Sequence, residues 1–387
     1  MSNKARIALF FALLIVFVAA CCVSARGEDG ELSLETLPEE YGDFLGSLSD
    51  DVLDKLPSGA LEGDQGSLLS AAEESVSVAY LLNTVFEAFG GAVKELLPTL
   101  AGLMGVVVLS AAAHVFAPSL SGGLGGAVSF ATRLCSFCTI AVVSVGALSR
   151  LSDYFNSLFS AVASFVPLSG VLYAMGGNLT SAASGTATLS ATLAICQFFF
   201  SETVIPVFCA CLSLSLLAVF EGVSASAATS IGATVKKWYT TALAFVMMIL
   251  TTVLAAQGIL ASKADGAAMR GIRFAASSFI PVSGGAVSST LGTLASSVEV
   301  IRGSVGAMGV VIILLMLIPV VAYLAAMRGV LSITSFAAGM LGCSGEKRLL
   351  DEICSLYGYL EGIAAISGAV FIIAMAVFAT TAAAVSV

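Results

Sequence analysis

The chain of 387 residues has a single histidine, His114, so the paired imidazoles of an HExxH zinc site are excluded. Cys135 and Cys138 stand at metal-ligand spacing. A structural metal site needs a second such pair, and no comparable CxxC occurs. The cysteines from Cys135 to Cys354 lie in or beside apolar stretches, where a thiol packs as a small apolar group. Neither a GxxxxGK[ST] phosphate loop nor a GxGxxG fingerprint is present, which excludes ATP hydrolysis by a P-loop and dinucleotide binding of that kind. Glu202 lies between two apolar runs near Pro206, while Arg133 and Glu221 stand near the ends of others. Charges so placed mark a function, an ion pair or a membrane interface. No carboxylate pair or histidine–acid array forms a proton relay. The expectation is a protein that is not an enzyme and takes no cofactor.

Gly342-Cys343-Ser344-Gly345 matches the GxSG pattern and resembles the nucleophile motif of rhomboid intramembrane proteases. In that family the catalytic histidine follows the serine. Here His114 lies far upstream and nothing downstream can replace it. A short string of small residues also recurs by chance in a chain with 38 glycines.

The elements that hold these residues are set by composition. Hydrophobic residues make up 58% and charged residues 11%, against about 25% charged in a soluble domain. Mean hydropathy is +1.03. So few polar side chains cannot cover so much apolar material, which rules out a soluble globule and leaves an all-α integral membrane protein. The charge is local: residues 26–75 hold fourteen of the 25 acids and only two bases, Arg26 and Lys55. No basic cluster exists to neutralise phosphates, so nucleic acid is excluded as a partner.

Lys4 and Arg6 precede the apolar run Ile7–Ala20 and then Val23-Ser24-Ala25, the order of a secretory signal. A retained anchor and a lipidated Cys21 are the alternatives. Each predicts that the acidic segment is exported. The expected organisation is a signal peptide over 1–25, an acidic exported segment over 26–75, an amphipathic juxtamembrane helix over 76–97 and a multi-span domain over 98–387. Uncharged gaps long enough to cross lipid give clear spans at Leu100–Phe116, Val128–Leu148, Val204–Phe220, Thr240–Leu260, Val305–Met327 and Gly362–Ala384. Gly329–Gly345 is barely long enough. Tyr154–Met175 is interrupted by Pro167 and Gly170, and Phe274–Val298 by Pro281 and Gly284-Gly285. The last two read either as kinked spans or as broken, re-entrant segments buried in protein. About six to eight membrane helices are expected.

In the exported segment, Thr36-Leu37-Pro38-Glu39 resembles a helix start. Tyr41, Leu45, Leu48, Val52 and Leu56 follow at helical spacing, with Phe44 beside them. One short amphipathic helix cannot bury its stripe alone. Its acidity disfavours an anionic lipid surface, so Tyr41, Phe44, Leu45, Leu48 and Val52 are expected to dock on a protein partner. A heptad-like seam runs through Ala72, Ser75, Ala79, Leu82, Phe86, Phe89, Val93 and Leu96. It fits a partner helix, the lipid interface or the chain's own core.

The stretch from Ile231 onward resembles the stage III sporulation protein AE family. The resemblance is carried by Gln257-Gly258, Ala264-Asp265-Gly266, Arg273-Phe274, Phe279-Ile280-Pro281-Val282, Gly303 and Val305-Gly306, then a span containing Pro319. It implies a multi-pass subunit of the channel-like, secretion-like apparatus joining mother cell and forespore, in the mother-cell membrane around the forespore. It also implies partners: the other stage III A-operon proteins, including a cytoplasmic ATPase, and stage II protein Q. On this reading Asp265, Gly266, Arg273, Phe279, Ile280, Pro281, Gly284 and Gly285 are the motif to watch. Phe279–Thr290 is expected to be a broken, protein-buried segment. A stand-alone secondary transporter with a midplane site near Pro281–Gly285 is the alternative.

Overall fold

The computed structural model describes residues 39–61, 67, 71, 78–116, 124–217, 230–254, 256 and 284–380. Every element among them is helical. A short helix α1 (Glu39–Gly46) and a single turn α2 (Asp50–Leu53) precede the long helices α3 (Val78–Phe116) and α4 (Leu124–Met175). Helix α5 (Leu179–Gln197) continues through a π-helical turn, Phe198–Thr203, into α6 (Val204–Leu217). Helices α7 (Ser230–Leu254), α8 (Gly284–Met340) and α9 (Ser344–Thr380) complete the bundle. Six helical stretches are long and apolar enough to cross a membrane. The expected all-α polytopic architecture is therefore present.

Helix α8 is the axis. From Ile301 to Ile318 its residues are buried on every face, packed by α9, α3 and α4. Between lipid-solvated helices the hydrophobic effect adds little, so close packing has to hold them together. Small residues make that approach available. A Cβ on Gly306 would stand 2.7 Å from the Ala379 Cβ and 3.1 Å from its Cα, and one on Gly309 would stand 3.0 Å from the Met375 sulfur.

Two hairpin turns set the antiparallel pairs. At each, a glycine in the left-handed region ends a helix, Gly177 at φ 74° and Gly342 at φ 77°. Asn178 N–H donates to Tyr173 C=O and Gly177 N–H to Ala174 C=O, both at 2.9 Å. Cys343 N–H to Ala338 C=O, 2.9 Å, and Gly342 N–H to Gly339 C=O, 3.3 Å, repeat the pattern. This is the Schellman motif, which satisfies the last carbonyls and reverses the chain.

Several boundaries differ from the sequence expectations. Tyr154–Met175 is unbroken: α4 runs through Pro167, whose side chain lies on an exposed face. Neighbouring helices hold such a proline in register. The expected span at Val204 is the second half of a helix that began at Leu179, because the π turn absorbs Glu202 without a break. Val305–Met327 and most of Gly329–Gly345 are one helix. Asp265, Gly266, Arg273, Phe279, Ile280 and Pro281 lie outside the described residues, as do the signal region and residues 26–38. Gly284 and Gly285 form the first turn of α8, with Ser288, Ser289 and Thr290 already helical. The expected irregular segment thus does not extend past Gly284.

Candidate functional site

The acidic segment folds back on its own chain. Tyr41, Phe44, Leu48, Val52 and Leu56 are all buried, and Leu45 packs against them. Phe44 meets Phe165 of α4 edge-on at 5.7 Å between ring centroids, and Phe165 meets Phe378 of α9 at 5.1 Å. Tyr41 donates to the Ala60 carbonyl at 3.0 Å. Burial raises its phenol pKa, which keeps the hydroxyl a donor. Tyr80 of α3 donates to the Lys55 carbonyl. Tyr41, Phe44, Leu45, Leu48 and Val52, expected from the sequence to dock on a protein partner, pack in the structure against this chain's own helices instead. The mate of this stripe is supplied by residues so distant in sequence that local periodicity cannot reveal it. Leu82, Phe86, Phe89 and Val93 of the heptad-like seam remain exposed, while Leu96 is buried.

Arg302 of α8 is 2% exposed, with its guanidinium 4.0 Å from the Tyr173 ring centre and 5.4 Å from that of Phe378. A desolvated cation over an aromatic face gains up to about 2 kcal/mol. The same aromatic group receives Phe44, so α1, α4, α8 and α9 converge there.

Further along the bundle, Tyr154 shares a hydrogen bond with Ser367 at 3.2 Å, and Tyr357 donates to Ser144 at 3.2 Å. Arg150 of α4 pairs with Glu95 of α3 and lies 4.4 Å from the Tyr323 ring centre. Arg328 of α8 pairs with Glu361 of α9, which is only 4% exposed. Lys236 of α7 reaches Glu352 at 3.0 Å and Ser355 at 3.4 Å. Each pair ties two helices, and each cation faces a carboxylate or a ring. Such an arrangement fixes helix order and register.

Near the α8–α9 turn a second polar cluster draws on three helices. Ser110 of α3 donates to Glu346 of α9 at 2.6 Å and lies 3.5 Å from the Thr132 hydroxyl of α4. Glu346 and Cys343 are fully buried. The sequence reading passed over Glu346. An acid four residues beyond the turn glycine Gly342, at the end of an uncharged gap, is the signal that marks it. The GxSG serine, Ser344, is the exposed first residue of α9. Among the described residues no group of three or more His, Cys, Asp or Glu side chains could hold a metal ion.

No curated protein and no solved structure matches this chain. A family model does, that of stage III sporulation protein AE, over residues 66–382. Matched from just before α3 through the last described helix, the chain belongs to the stage III sporulation protein AE family.

Proposed function

We propose that this protein is a non-enzymatic membrane subunit of the channel-like, secretion-like complex linking mother cell and forespore. The observation that carries the reading is the family match, which takes in all six apolar helices rather than a shared fragment. The internal polar groups support a scaffold role: the pairs described above tie helices together. On this reading the chain sits in the mother-cell membrane around the forespore. Its partners are the other stage III A-operon proteins and stage II protein Q.

The test is purification of the tagged full chain from sporulating cells after mild cross-linking. Recovery of those partners, and failure of forespore development when the gene is deleted, are the expected results. Recovery of the chain alone, together with solute uptake by liposomes containing only this protein, would establish the transporter reading instead.

A further inference from the structure

The Ser110–Thr132–Glu346 cluster is not explained by helix packing alone. Glu346 is fully buried, and Oε1 accepts the Ser110 hydroxyl, but Oε2 has no hydrogen-bond partner among the protein groups. Every other described acid in an ion pair faces Lys or Arg. An ionised carboxylate placed in a low-dielectric interior without a cation costs several kcal/mol. The position near the start of α9 offsets part of that through the helix dipole. It does not satisfy the second oxygen.

The described groups beside this carboxylate are the Ser110 hydroxyl on Oε1, the Thr132 hydroxyl 3.5 Å from Ser110, and the Cys343 thiol. Ser110 is 0% and Thr132 9% exposed, and they come from α3 and α4. Both hydroxyls have lone pairs to give while donating elsewhere. Just before α9, the helix α8 ends, and the last carbonyls of a helix form its negative pole. One carboxylate with neutral oxygens suits a monovalent ion. Calcium takes six to eight oxygens and usually more charge, and zinc prefers histidine or thiolate sets that the described residues do not assemble. We infer that Glu346, with Ser110 and Thr132, binds a small alkali-metal cation, sodium or potassium, at the junction of α3, α4 and α9. The ion replaces the missing basic partner and ties three helices that no ion pair joins at this level among the described residues. The titratable groups next to the cluster in sequence are Cys343, in the turn before α9, and Lys347 and Arg348 on α9. His114 follows one turn after Ser110 in the sequence, and Arg133 follows Thr132. Lys347 is engaged with Asp351 at 2.7 Å.

The experiment uses the purified full chain in lipid nanodiscs, melted in sodium, potassium or choline chloride at equal ionic strength. A bound ion stabilises the folded state in proportion to the logarithm of its concentration above Kd. Sodium or potassium is expected to raise the melting temperature over choline, saturably. Glu346→Gln is expected to abolish the difference, and Ser110→Ala to raise the half-saturating concentration about tenfold, equivalent to one ligand of about 1.4 kcal/mol. Glu352→Gln, at the separate Lys236 pair, should keep the full response. Identical melting in the three salts would overturn the proposal, and so would a response retained in Glu346→Gln. Should that variant fail to accumulate, wild-type protein and Ser110→Ala decide the matter. Carbodiimide modification of Glu346 provides a second readout: sodium or potassium should protect it, and labelling indifferent to both would overturn the proposal. None of these measurements depends on sporulating cells or on partners, so the outcome is separate from that of the complex reading.

Discussion

A glycine in a membrane helix can be a packing device or merely a tolerated gap, and the surroundings distinguish them. At Gly306 a methyl group would run into the Ala379 backbone, whereas at Gly329 a Cβ would meet nothing within 4 Å. Gly306→Ala should therefore lower stability by about 1–3 kcal/mol through overpacking. Gly329→Ala should raise it by about 0.5–1 kcal/mol through helix propensity. Denaturant unfolding in detergent, followed by circular dichroism, reads both; equal effects would contradict the α8–α9 approach. The Arg328–Glu361 pair offers a second contrast. Glu361→Ala leaves a part-buried guanidinium without its carboxylate and should cost about 3–5 kcal/mol. The double change Arg328→Met with Glu361→Leu should restore most of that in the same assay. A double variant no better than Glu361→Ala would mean that the pair is not the source of the loss.

Helix α1 shows why an element can be recognised from sequence while its role is not. The spacing of Tyr41, Leu48, Val52 and Leu56 gave a correct apolar stripe. Its destination depended on Phe165 and Phe378, which periodicity within a short segment cannot locate. The double change Phe44→Asp with Leu48→Asp should therefore release α1 from α4 and α2 from α8 without stopping membrane insertion. Trypsin cleavage after Lys55 should accelerate at least tenfold, about 1.4 kcal/mol of lost docking. Unchanged cleavage would show that the segment is held by something other than these side chains. Proline and charge misled in the opposite direction. Pro167 suggests a kinked or broken span and Glu202 a boundary between two apolar runs, yet both lie within continuous helix because packing against neighbours outweighs local preference. The motif Asp265–Pro281 lies outside the described residues, so the resemblance reaches the described structure through Gly303, Val305-Gly306 and Pro319 of α8.

For the whole molecule, each of the six clear spans read from uncharged gaps overlaps one of the six membrane-length helices among the described residues, because hydrocarbon thickness imposes a minimum span. It could not give their full lengths. Helix α4, with 52 residues, is about 78 Å long, against about 30 Å of hydrocarbon. A helix of that length cannot lie wholly within the lipid core along the bilayer normal, and the Arg150–Glu95 pair is about half exposed on each side. The arrangement also sorts the thiols. Cys135, Cys138 and Cys209 are exposed, while Cys196 and Cys343 are fully buried. N-ethylmaleimide applied in detergent should modify the first three in the folded protein and the last two only after unfolding, as mapped by peptide mass spectrometry. Early modification of Cys196 or Cys343 would show that the bundle is packed differently. In cells, Ser49→Cys should react with an impermeant thiol reagent from the exported face if residues 26–75 lie outside the cytoplasm. Labelling only after lysis would place that segment inside.

The π turn at Phe198–Thr203 leaves a mark on the spacing of the buried residues around it. Thr192, Cys196, Phe200, Val204 and Phe208 are all buried, at intervals of four. In a regular α-helix each such interval overshoots a full turn by about 40°, so the line would wind about 160° out of phase, nearly to the opposite face. The wider π ring takes up the surplus residue and brings Val204 and Phe208 back into phase with Thr192. At the same place the Phe199 carbonyl accepts the Tyr239 hydroxyl at 2.6 Å, and the Phe198 carbonyl accepts Thr203 at 2.8 Å. The chain therefore carries one residue more than the helix requires for its facing. Deleting Ser201 would leave α6 turned toward α9 and Phe208 still beside Tyr357, while removing the widened turn at which α7 is fastened to this helix.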